Sequence, residues 1–178
     1  MGTLTDQKNN LSPSTFRSKQ LEFLRQSYVT KLWEKHFGML ACCRPELAVD
    51  PILQLPMTSI ERGRCLRWRF GWLPLGKPQP CPFHPSGLFN KRHSIQCLQI
   101  NIRLFLPQTI EDPLSFLLNK LPQKTKKIPK LSITAWLIRW PVICSILHKM
   151  DYLAYNQIPV PAYNPGNLFV QQLFTNRS

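Results

Sequence analysis

The alternation of apolar and polar positions is sharpest between Arg62 and Leu106. Leu66, Trp68, Phe70 and Trp72 alternate with Arg67 and Arg69. A period of two puts aromatics on one face of a strand and arginines on the other. Farther on, Ile100, Ile102, Leu104 and Leu106 alternate with Gln99, Asn101 and Arg103, and the phase slips at Cys97-Leu98, as at a β-bulge. The spacing predicts strands near 64–73 and 93–106, joined by a long loop carrying Pro74, Pro78, Pro80, Pro82 and Pro85.

Helical spacing frames this pair. From Phe16 to Leu40, Leu21, Leu24, Tyr28 and Leu32 recur on one side, after a hydroxyl-rich start at Ser12-Pro13-Ser14-Thr15. Asp50-Pro51 and Asp112-Pro113 each offer a capping acid and a proline suited to a first turn. Leu114, Leu117, Leu118 and Leu121 follow the second at helical intervals. Residues 131–140 read as a strand and Pro141 as the start of a further helix, because a residue before proline resists the α conformation. The fold expected is α+β: a small antiparallel sheet packed by an N-terminal amphipathic helix and C-terminal helices. Residues 1–13 read as a flexible lead-in, 14–155 as a single domain, and 156–178 as a proline-rich extended tail whose last apolar residues need a surface to pack on.

Composition adds stiffness and charge. Seventeen prolines against seven glycines imply short elements. The net charge of +14 is concentrated: residues 61–130 hold 13 basic and 3 acidic residues, a net +10. A field of that sign favours polyanions. Arg62, Arg64, Arg67, Arg69, Lys91, Arg92 and Arg103 form the candidate phosphate-contact set, with Lys124, Lys126, Lys127 and Lys130 as an auxiliary tract. The competing reading of the arginines is the solvated side of a half-buried strand, and that of the lysines a solvated linker.

The chemistry with metal-like spacing is Cys81-Pro82-Phe83-His84 followed by His93 and Cys97. Ligands three and four residues apart, in two pairs, suit a tetrahedral zinc ion. The alternative is two buried thiols and two surface histidines. No glutamate lies nearby to serve as a base, so such a zinc would be structural. No other cofactor is expected. No Gly-rich phosphate loop, nucleophile elbow or His-Glu-x-x-His motif occurs, so the chain reads as non-enzymatic. With no secretory signal, the six cysteines are expected in a reducing compartment, nucleus or cytoplasm. No apolar run of membrane-spanning length is seen. The sequence therefore points to a small basic subunit of a nucleic-acid-handling complex, or to a protein adaptor or viral accessory protein whose apolar elements a partner covers.

Overall fold

A computed structural model describes residues 12–40, 43–44, 48–71, 79–123, 128–155, 157 and 164–175; side-chain detail is lacking for Trp33 and for 35–40. The chain divides into two compact units, Met1–Ala41 and Cys42–Ser178.

The described residues of the first unit form one long helix, α1, Pro13–Leu40, preceded by Ser12. The Ser12 Oγ accepts the Thr15 amide at 3.3 Å. Leu21, Phe23, Leu24 and Tyr28 are exposed.

Among the described residues of the second unit the regular elements are helices and one minimal hairpin, so the α+β class holds, with the expected antiparallel sheet and C-terminal helices. The strands lie elsewhere than the alternation placed them. β1 is Gln79–Pro80 and β2 is Leu88–Phe89, paired antiparallel with Gln79 opposite Phe89 and Pro80 opposite Leu88. Both segments read as strands are helical over most of their described residues. Ser59–Arg69 is α2. Lys91–Cys97 is α3, and Ile100–Arg103 is α4.

The reason lies in the start signals. Thr58 and Glu61 form a reciprocal capping box: Thr58 Oγ1 accepts the Glu61 amide at 3.2 Å, and Glu61 Oε2 accepts the Thr58 amide at 3.0 Å. Once helical, the segment buries Cys65, Trp68 and Arg69, an i, i+3, i+4 set. Asn90 likewise caps α3 by accepting the His93 amide at 2.8 Å. The slip at Cys97-Leu98 is a break between two helices, made by Gln99 at φ 50°.

Asp50 and Asp112 cap as their Asp-Pro pairs predict, opening a 3-10 turn at Pro51–Leu53 and helix α5 at Pro113–Leu118. Leu114, Leu117, Leu118 and Leu121 are all buried.

The core is organised on α6, Lys130–Ala154, which runs through Pro141 without a break. The expected strand before Pro141 does not form. An internal proline costs a helix about 3 kcal/mol. Here Trp136 and Trp140 before it, and Ile143, Cys144, Ile146 and Leu147 after it, are buried on one continuous face, which offsets that cost. By length and mean hydropathy (1.4 over its most apolar 18 residues) α6 matches a membrane span. Ten of its residues, Trp140 and Ile143 among them, are buried in the fold's own core.

Residues 167–175 are helical rather than extended. This helix, α7, Asn167–Thr175, docks on α6. Phe169 meets Trp140 edge to face with ring centroids 5.4 Å apart. The rest of the expected tail, except Gln157 and 164–166, lies outside the described residues.

Candidate metal centre and the arginine cluster

The hairpin turn is built for close approach. Cys81 donates its amide to the Gly87 carbonyl at 2.8 Å, His84 to the Cys81 carbonyl at 3.1 Å, and Gly87 to the His84 carbonyl at 2.8 Å. These bonds hold Cys81 and His84 on one side of the tip. Helix α3 begins one residue after β2, and its i, i+4 spacing puts His93 and Cys97 on one face. The structure brings all four sequence-designated ligands together: one ligand atom from each lies within 4.8 Å of the others. Cys81 Sγ is 3.7 Å from Cys97 Sγ and 3.7 Å from His84 Nδ1. The two imidazoles meet edge to face at 5.2 Å.

Burial pushes the Cys97 thiol up to about 11, the Cys81 thiol adds to the push, and the Lys149 ammonium on α6 opposes it. Two thiolates at this distance repel, and a bound cation reverses that balance. The other thiols differ. Burial holds Cys65 up at about 12 and raises Cys144 as well, which marks both as unreactive core groups.

The arginine set has a different geometry from the one the alternation suggested. Its members on α2 reach acids and carbonyls of the same unit. Arg62 donates to the carbonyls of Ile52 and Leu55. Arg64 and Arg67 converge on Asp151 of α6, Arg67 at 3.0 Å. Arg69, 2% exposed, pairs with Asp50 at 2.9 Å and donates to Asn119. Lys91 pairs with Asp112 at 2.6 Å and lies over the Trp68 ring.

The remaining members are dispersed. Arg92 and Lys130 are exposed, and Arg103 is half-buried, its pKa lowered by that burial. Arg92 borders an open groove of about 740 Å³ that also takes in Ile95, Gln96, Gln99 and Ile102. Lys124, Lys126 and Lys127 lie outside the described residues.

The carboxylates at the other end of these contacts are structural. Asp50, Asp112 and Asp151 are ion-paired, and Glu61 accepts the Gly166 amide at 2.7 Å besides closing its capping box. Sequence reading missed these acid partners, because each pair joins segments far apart in the chain. Asp151→Ala is expected to destabilise the domain by about 1.5 kcal/mol, since it leaves Arg64 and Arg67 half-buried without their shared acid. Urea midpoints of the two proteins check this.

Searches against protein-family models, curated proteins and solved structures returned no match.

Proposed function

We propose that the protein is a non-enzymatic adaptor that binds a protein partner through α1, with residues 42–178 as its folded scaffold. The observation that carries this is the exposed Leu21, Phe23, Leu24 and Tyr28 on a 28-residue helix that is a unit to itself. Apolar side chains at three- and four-residue spacing are the form in which a helix enters a partner's groove. Two further observations support a scaffold over an enzyme. Four of the nine acids are committed to caps and ion pairs, and Cys65 and Cys144 are core thiols. The commitment of Arg62, Arg64, Arg67, Arg69 and Lys91 to internal partners favours protein over phosphate as the main contact.

Nucleic-acid contact is the second reading. It rests on exposed Arg92 and Lys130, the latter next in sequence to Lys124, Lys126 and Lys127, within a net charge of +14.

The full chain, tagged and purified from its native cells with and without nuclease, separates the two. The adaptor reading expects a defined protein that survives nuclease and high salt. Leu21→Glu with Leu24→Glu should reduce its recovery about tenfold, while glutamate's good helix propensity keeps α1 helical. Retention of that protein by the double variant overturns the reading. So does recovery of nucleic acid alone, lost on Arg92→Glu with Lys130→Glu.

A further inference from the structure

We infer that Cys81, His84, His93 and Cys97 bind one zinc ion, and that this ion fastens the β1–β2 hairpin to α3. The donor set comes first. Two thiolates and two imidazoles select zinc over calcium or magnesium, which take oxygen ligands. Geometry comes second. A tetrahedral ion with Zn–S near 2.3 Å and Zn–N near 2.0 Å requires ligand edges of about 3.8 Å for S···S and about 3.5 Å for S···N. The Cys81 Sγ–Cys97 Sγ and Cys81 Sγ–His84 Nδ1 edges are both 3.7 Å, and all four donors lie within 4.8 Å of one another.

A third observation is independent of the spacing. His93 Nε2 is buried and has no hydrogen-bond partner. A buried ring nitrogen without a partner is costly, and a metal bond is one way to satisfy it. Gly87 makes room for this ring, because a Cβ there would stand 3.2 Å from His93 Cε1.

Four protein donors fill a tetrahedral ion and leave no position for water, so the site is structural. On binding, each thiol gives its proton to solvent, and the two thiolates neutralise the 2+ charge. The local elements need such a fastening. Strands of two residues and a helix of seven are too short to be stable alone.

Metal analysis of the purified full chain tests this. About one zinc per chain is expected. Its removal by chelator should lower the melting temperature by about 10 °C, reversed by added zinc. Cobalt added to the stripped wild type should give the intense visible bands of a tetrahedral ion and the charge-transfer band of thiolate ligation. That readout does not depend on a variant folding. Cys97→Ser and His93→Ala should lose the metal, and Cys43→Ser, outside the cluster, should keep it. Metal-free protein whose melting ignores both chelator and zinc overturns the inference. So do a cobalt spectrum without thiolate bands, iron or copper in zinc's place, or full zinc content in both ligand variants.

Discussion

Gly166→Ala is expected to cost about 3 kcal/mol and to loosen α7 from α6. Gly166 sits at φ +73°, where a side chain is strained, and any Cβ there would lie 2.4 Å from Trp140 Cδ1 and 3.3 Å from Cys144 Sγ. Trp140 has nowhere to go, since it is fully buried between this turn and Phe169. The same residue donates its amide to Glu61 and accepts the Val170 amide at 3.1 Å. Displacing it therefore disturbs the tie to α2 and the first turn of α7 together. Denaturant unfolding followed by tryptophan fluorescence measures the loss. In a Trp140→Phe background the added methyl has more space, so the two changes should cost less together than their sum by about 1 kcal/mol. Strict additivity would show that the steric contact is not the cause.

Asp112→Ala should be nearly as damaging, at about 3 kcal/mol. One carboxylate serves three groups. Oδ1 accepts the Ser115 amide at the start of α5 and the Trp68 Nε1–H, both at 3.0 Å, and Oδ2 pairs with Lys91. Its loss removes a cap, leaves an indole donor without its acceptor, and takes from the Lys91 ammonium its anionic partner. The acid dependence has a definite sign. Burial alone would raise the Asp112 carboxyl, but the Lys91 charge and hydrogen bonds from Lys91 and Ser115 outweigh it and hold the pKa below the ordinary 3.8. A depressed carboxyl binds fewer protons folded than unfolded. Its contribution is therefore complete well above pH 3.8 and is lost as pH falls through the lower folded value. Urea midpoints taken from neutral pH down to about pH 3 should fall for the wild type and fall less for Asp112→Asn.

What could be read in advance divides by range along the chain. The α+β class, the helix at 13–40, the caps at Asp50 and Asp112 and the four leucines of α5 were legible, because each signal is complete within a few residues. The closeness of the Cys/His pairs was legible for the same reason, their members being three and four residues apart. Period-two alternation misled at Leu66 and Trp68, which both fall in α2, one half-buried and one buried; Trp72 lies outside the described residues. The signal against a strand was already present as Thr58-Ser59-Ile60-Glu61, a capping-box pattern. Pro141 misled in the other direction: a local preference yielded to the core on both sides of it. The partners of the arginines were not legible. Nothing near Arg64 or Arg67 in sequence indicates that Asp151, more than eighty residues on, will accept from both.

That disparity in range has a consequence for how the chain comes to order as it is made. Cys81 and Cys97 close a span of 16 residues, whereas Glu61 and Gly166 close one of 105. Loop-closure entropy alone makes the longer closure about 1.7 kcal/mol harder. The longer tie also cannot form until Gly166 has left the ribosome. A growing chain can thus bring its Cys/His cluster together while α2 still lacks Asp151 and Gly166, its partners farther along.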